Sequence, residues 1–253
     1  MDQIQKGRTM KIEKENVGDA FQSLTKYDRG ELPKGGLDMA ARPEHYKVYK
    51  TPISALDLPV PEHKGGGALW ELMAKRRTRR TYKLEPLTLA ELSQLLWAAN
   101  GKTKEGRDAV LRSAPSAGAL YPIELYVMAN NVEGLEKGIY HYDVPGHRLL
   151  MIKEGDYSED ATAAALGQTS LAKSGAVIFL SAVLERSRWK YKQRAYRYVY
   201  LDAGHIGQNV CLAAESLGLG TCPIGAFYDE EFDGILGIDG TDETAVYAFT
   251  VGR

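Results

Sequence analysis

Leu89, Leu92, Leu95, Leu96 and Ala99 recur at helical spacing, which predicts an amphipathic helix with one buried face. Thr88 and Glu91 have the three-residue spacing of a capping box at its start, and Gly101 ends it. The longest pattern of this kind runs from Ala195 to Leu217, with Val199, Ala203, Ile206, Val210, Ala213, Ala214 and Leu217 on one side and Gly218 as the stop. Its length makes it the expected central helix. Shorter helices are expected from Ala68, where Leu69, Trp70, Leu72 and Met73 lead into a basic run, at Ala161–Leu166 before Gly167, and at Asp229–Leu236.

Strand patterns alternate with these irregularly. Ile123–Ala129 and Thr244–Val251 read as strands, and Ala176–Val183 is an apolar run of buried-strand length. Ile139–Tyr142 and Arg148–Ile152 form a hairpin pair around Val144-Pro145-Gly146-His147. Helices mixed with a hairpin argue for an α+β fold over a doubly wound parallel sheet. The first 65 residues are different: Lys34-Gly35-Gly36, Pro43, Pro52, Pro59, Pro61 and Gly65-Gly66-Gly67 interrupt them too often for long elements. Residues 1–65 are therefore expected to be an extended arm held by Tyr27, Tyr46, Tyr49 and Leu56, with regular structure starting at Ala68 in a domain spanning 66–253.

Composition narrows the chemistry. A chain with 44% apolar and 26% charged residues can bury a substantial core, and a formal charge of −1 supplies no general attraction to nucleic acid or anionic membrane. An anion site must be local. Neither a long apolar span nor the apolar core of a signal peptide is visible, so a cytoplasmic location is expected. Cys211 and Cys222 are too few for a metal site by themselves and lack Cys-x-x-Cys spacing, so both are expected to be buried apolar fillers.

The local anion site suggests itself in Lys75-Arg76-Arg77-Thr78-Arg79-Arg80-Thr81-Tyr82 and in the final Val251-Gly252-Arg253. Guanidinium forks suit a phosphate monoester, and neither a Rossmann glycine fingerprint nor a P-loop is available to hold one through backbone. Side chains must do so. A solvated basic helix end is the plainer alternative.

Four ordered segments carry a resemblance: Arg76 to Tyr82, Ala114-Pro115-Ser116-Ala117-Gly118-Ala119-Leu120-Tyr121-Pro122-Ile123-Glu124, Gly218-Leu219-Gly220-Thr221-Cys222-Pro223-Ile224-Gly225-Ala226-Phe227, and the terminal arginine. Together, over about Leu24 to Arg253, they resemble the nitroreductase superfamily of FMN-dependent oxidoreductases. Pro-Ser-Ala-Gly-Ala-Leu-Tyr-Pro and the stretch Glu185 to Tyr198 resemble its SagB-type dehydrogenase branch, which includes the azoline oxidases of thiazole and oxazole peptide biosynthesis. The resemblance implies a homodimeric α+β sandwich with a mixed, mostly antiparallel sheet flanked by helices and FMN at each subunit interface. It implies that Arg76 and Thr78, with Arg253, lie at the ribityl phosphate and Arg80 near the flavin pyrimidine edge, with Arg77 also among the cofactor-binding residues. Pro115, Ser116, Ala117 and Gly118 match a loop packed on the ring, Gln168 an amide reaching the pyrimidine carbonyls, and Ile224, Gly225 and Ala226 the cover of the other face.

The resemblance also implies a catalytic pair, Lys190-Tyr191, that assists proton removal while a hydride leaves for flavin N5. A lysine base needs burial or neighbouring cations, and Arg186, Arg188, Lys192 and Arg194 are candidates for the latter. Lys192 departs from the branch, which commonly has glycine there. His205 on the long helix is read as a hydrogen-bonded structural residue. Two further readings stay open. One is an NAD(P)H-driven reductase of nitroaromatics or quinones; the other is a nucleic-acid module in which 75–80 and 186–197 form a basic surface with Trp189, Tyr191 and Tyr196 as stacking platforms. Small-molecule or peptide substrates are favoured over nucleic acid or membrane partners.

Overall fold

The computed structural model describes residues 12–27, 29, 36–105 and 110–253. Residues 1–11, 28 and 30–35 of the expected arm lie outside the described residues. In chain order the described elements are helix α1 (Val17–Leu24), strand β1 (Ser54–Asp57), helices α2 (Leu69–Lys75) and α3 (Leu89–Asn100), strands β2 (Lys102–Glu105), β3 (Val110–Arg112), β4 (Ile123–Ala129), β5 (Gly138–Asp143) and β6 (Arg148–Glu154), and helices α4 (Ser158–Ala164) and α5 (Ser170–Lys173). Strand β7 (Ala176–Val183), helices α6 (Leu184–Tyr191) and α7 (Ala195–Ser216), strand β8 (Gly220–Ile224), helix α8 (Asp229–Leu236) and strand β9 (Glu243–Gly252) complete them. Regular structure thus starts well before Ala68, since α1 and β1 fall within the first 65 residues.

Seven strands form one sheet in the order β1-β6-β5-β4-β7-β9-β8, every pairing between them antiparallel. Its centre is buried on both faces, so β4 and β7 read as near-continuous apolar runs. Ile123, Leu125 and Val127 face a layer formed by Leu92, Leu95, Leu96 and Ala99 of α3 with Val199, Ala203, Ile206 and Val210 of α7. Tyr126 and Met128, alternating with them, face Ala161 and Ala164 of α4 and Phe232 and Leu236 of α8. The result is an α+β sandwich of helix, sheet and helix layers. The capping box of α3 is complete: Glu91 N donates to Thr88 Oγ1 (3.2 Å) and Thr88 N to Glu91 Oε2 (2.8 Å).

Glu124 on β4 is a carboxylate inside this sheet, 3% exposed. Its Oε1 accepts from Arg186 Nη1 of α6 at 2.5 Å, and its Oε2 lies 2.7 Å from His141 Nε2 of β5. Burial works to raise the carboxyl, but the His141 hydrogen bond and the charges of Arg186 and Arg112 outweigh it and hold the group at about 2. Arg186 Nη1 also donates to Tyr121 O (3.1 Å) and its Nε to Glu44 O (2.9 Å). One guanidinium thereby ties α6 to the sheet, to the loop before β4 and to the N-terminal segment.

Helix α6 ends on Lys192, whose backbone stands at φ +50°, ψ −131°, a region that only glycine enters at little cost. Lys192→Gly relieves about 1–3 kcal/mol of strain against roughly 0.5–1 kcal/mol of added unfolded-chain entropy, so thermal unfolding shifts upward by about 2–4 °C; a lower melting temperature contradicts the strain. Because the folded-state pKa of Glu124 is depressed, its contribution is complete above about 4.5 and is lost as pH falls toward about 2. Glu124→Gln, which leaves Arg186 buried and unpaired, is expected to cost about 3–5 kcal/mol at neutral pH in urea titrations and to flatten this acid limb.

Candidate functional site

The basic run leaves α2 and lies along the free side of β8. Thr78 bridges Thr221 in parallel register, Arg79 N donates to Thr221 O (2.9 Å), and Lys83 N donates to Arg253 O (2.5 Å). Tyr82 seats the segment: a Cβ on Gly252 would stand 2.8 Å from its ring, so only a bare backbone fits beneath it. Arg76 is half-buried, while Arg77, Thr78, Arg79 and Arg80 are exposed. Arg79 faces Glu215 at 4.0 Å and Arg77 folds onto the carbonyls of Ala74 and Arg76. Among the described residues, no carboxylate pairs with Arg76, Arg77 or Arg80. Arg253 is committed differently: its Nη2 meets Glu91 Oε1 at 2.6 Å and its Nε donates to Pro86 O at 3.2 Å. An anion shared with Arg253 would compete with Glu91 Oε1 for it. The buried Thr221 Oγ1, beside Thr78, has no partner among the described residues.

The Pro115 to Tyr121 loop is anchored by a residue that helical periodicity hides. Ser116 Oγ donates to Asp202 Oδ2 (2.5 Å), Ala117 N donates to Asp202 Oδ1 (3.2 Å), and Tyr121 N donates to Ser116 Oγ (2.9 Å). Asp202 sits on the buried stripe of α7, where burial pushes its carboxyl up against the pull of these two donors. A polar residue among Val199, Ala203 and Ile206 was the available signal. The loop turns through Gly118 at φ +65°, and a Cβ there would stand 2.6 Å from Tyr191 Oη and 2.9 Å from Lys190 Nζ. The Ser-Ala-Gly turn and the Lys-Tyr pair are therefore in direct contact.

Lys190 and Tyr191 form the last turn of α6, so the segment around them is helical. Lys190 Nζ lies 5.3 Å from the Tyr191 ring centroid, and Tyr191 meets the edge of Tyr198 at 4.8 Å. Arg194 lies over Tyr27 (4.7 Å) and Tyr198 (5.7 Å), continuing an aromatic and cationic cluster. Arg186 is turned inward to Glu124, and Arg188 is held by Glu185 at 2.9 Å. Trp189 is 8% exposed and its indole N–H donates to Asp38 O at 2.8 Å. Two members of the supposed nucleic-acid surface, Arg186 and Trp189, are thus interior residues.

Gln168 spends its amide protons on Ala165 O (3.0 Å) and Ala226 O (3.1 Å), which brings it to the segment after β8. Ile224 closes β8 and is buried, whereas Gly225 and Ala226 are exposed. His205 also lies on the exposed side of α7, contrary to the expectation of a structural histidine. Cys211 and Cys222 are free and buried as expected, and burial raises the Cys211 thiol to about 11. No helix among the described residues is long and apolar enough to cross a membrane.

Residues 73–253 match the model of the nitroreductase family. The nitroreductase homologue MJ1384 of Methanocaldococcus jannaschii is 43% identical over 73% of this chain and 90% of its own length. The trifolitoxin-processing protein TfxB of Rhizobium leguminosarum bv. trifolii is 35% identical over 56% of this chain, which spans only 39% of TfxB. Among solved structures, a nitroreductase homologue from Anabaena variabilis superposes with a TM-score of 0.75 at 32% identity, over 92% of this chain and 46% of that one. The Escherichia coli microcin synthetase McbBCD complex, bound to truncated pro-MccB17, shares the fold at a TM-score of 0.61 and 19% identity, over 94% of this chain and 91% of that one. The chain belongs to the nitroreductase family of oxidoreductases.

Proposed function

We propose that this chain is an FMN-dependent dehydrogenase that oxidises a small heterocycle or a peptide azoline, with Lys190 and Tyr191 handling the proton. The observation that carries the reading is the convergence of Lys190 Nζ and Tyr191 Oη on Gly118, in the loop that the resemblance assigns to the flavin ring. FMN fits the residues present: guanidiniums that face no carboxylate among the described residues at Arg76, Arg77 and Arg80, and the Thr221 hydroxyl beside Thr78, which has no partner among them, suit a phosphate monoester. Arg76, Thr78 and Arg253 would hold the phosphate, with Arg253 exchanging Glu91 for it. Arg80 would offset negative charge at the pyrimidine edge, and Pro115 to Gly118 with Gln168 and Ile224 to Ala226 would enclose the ring. When bound, FMN supplies the acceptor for a hydride.

The chain's own residues do the rest. Asp202 holds Ser116 and Ala117, which fixes Gly118 against the Lys-Tyr pair. Oxidation of an azoline to an azole removes two hydrogens from the ring; one leaves as hydride, and the other leaves as a proton to Lys190 and Tyr191. TfxB is named for trifolitoxin processing, and the McbBCD complex carries a peptide precursor, so peptide substrates and separate partner proteins are the natural class here. Tyr200 and Leu201, 59% and 58% exposed on α7, suit a second copy of the chain completing each flavin site. The resemblance to MJ1384 favours one alternative, an NAD(P)H-driven reductase of nitroaromatics or quinones that makes little use of Lys190.

Lys190→Ala and Tyr191→Phe separate the two. Loss of about a hundredfold or more in oxidation of a synthetic thiazoline peptide, with FMN content retained, is expected. NADPH-driven quinone reduction at full rate in both variants, together with no thiazoline turnover by the parent protein, would instead establish the reductase.

A further inference from the structure

Helix α6 cannot hold its own position. It has eight residues, its first turn has no side-chain cap, and its sequence, Leu184-Glu185-Arg186-Ser187-Arg188-Trp189-Lys190-Tyr191, offers little apolar surface. Isolated helices of this length are marginal in water, so tertiary anchors must locate it. Its inward face presents Arg186 and Trp189, three residues apart and therefore neighbours on one side. Both find backbone carbonyls of a single N-terminal strap, residues 36–49. Trp189 Nε1 donates to Asp38 O at 2.8 Å and Arg186 Nε to Glu44 O at 2.9 Å. Arg42 of the strap lies 5.9 Å from the Trp189 ring centroid.

The strap is itself built to present these acceptors. Asp38 Oδ1 accepts from Ala40 N (3.0 Å) and Ala41 N (3.3 Å), capping the turn Met39–Ala41 that aims its own carbonyl at the indole. Further along, Lys47 joins the strap to Glu243 of β9, and Tyr49 meets Tyr126 Oη at 3.1 Å. The residue after Trp189 is Lys190. A shift of α6 would be felt first where Lys190 and Tyr191 abut Gly118.

We propose that the strap of residues 36–49 is a positioning element of the active site, setting the placement of the Lys190-Tyr191 pair through Asp38 O and Glu44 O. Asp38, Arg186 and Trp189 are positioning residues in this account. The inference rests on the reading that Lys190 and Tyr191 handle the proton.

The test uses the full chain in three forms, Asp38→Ala, Asp38→Asn and Trp189→Phe, read by amide hydrogen exchange and by turnover of a synthetic thiazoline peptide. The Asp38 carboxylate makes its hydrogen bonds within the strap, so Asp38→Ala perturbs α6 only if the strap transmits the change. Loss of a cap of ordinary strength predicts roughly fivefold faster exchange across 184–192, with kcat lowered by a comparable factor. KM, FMN content and melting temperature stay near their starting values. Asp38→Asn, which keeps the cap, behaves like the parent protein, and Trp189→Phe reproduces the Asp38→Ala pattern. Unchanged exchange in 184–192, or faster exchange with kcat unmoved, overturns the proposal. Should Lys190→Ala itself leave turnover intact, the underlying reading falls and takes the proposal with it, and the exchange data then report only a mechanical link.

Discussion

The pairing of Glu124 with Arg186 is the constraint from which the site's geometry follows. Two charges withdrawn from water cost more than their attraction returns unless every remaining donor and acceptor is satisfied. Here His141 takes the second carboxylate oxygen, while Tyr121 O and Glu44 O take further guanidinium hydrogens. Those partners come from β5, from the loop before β4 and from the N-terminal strap. A pair that demands so many fixed partners cannot tolerate sliding of any of them. The same sheet contains a second such centre: Glu243 accepts from Tyr126 Oη (2.8 Å) and Ser181 Oγ (2.5 Å) and is paired with Lys47. Burial drives the Tyr126 hydroxyl far above its ordinary range, so it serves only as a neutral hydrogen-bonding group.

Around this frame the candidate site is assembled from parts far apart in sequence. The arginine run lies on β8, the Ser-Ala-Gly turn is pinned by Asp202 from α7, and Lys190 and Tyr191 arrive at the end of α6. Arg112 adds to the cationic interior, lying 4.7 Å from the Tyr121 ring centroid and 5.3 Å from that of Tyr46.

Elements with a clean period were legible in the sequence. The capping box at Thr88 and Glu91, the stripe of α7 and the apolar runs of β4 and β7 each had a direct physical signature. Strand β8 had none, because Gly220, Thr221 and Pro223 carry the marks of a turn and the strand is completed by pairing with β9. Strand β1 lies between Pro52 and Pro59 and exists through its partner β6. Helix α6 reads as a solvated basic segment, because nothing local tells that Arg186 meets a buried carboxylate more than sixty residues earlier. The site followed the same division. Motif order brought the arginines, the glycine turn and the Lys-Tyr pair into view, whereas the ties made by Asp202, Arg186 and Glu91 depend on long-range packing. Lys192 shows both sides: its departure from glycine was visible, and its left-handed backbone explains why glycine is the easier residue there.

The central claim is that this chain binds a flavin through these segments. The most direct measurement is the visible absorption spectrum of the purified protein, followed by release and identification of the chromophore. The account predicts FMN at one per chain, with Arg76→Ala and Arg80→Ala releasing it. A colourless protein that cannot be reconstituted with FMN would contradict it.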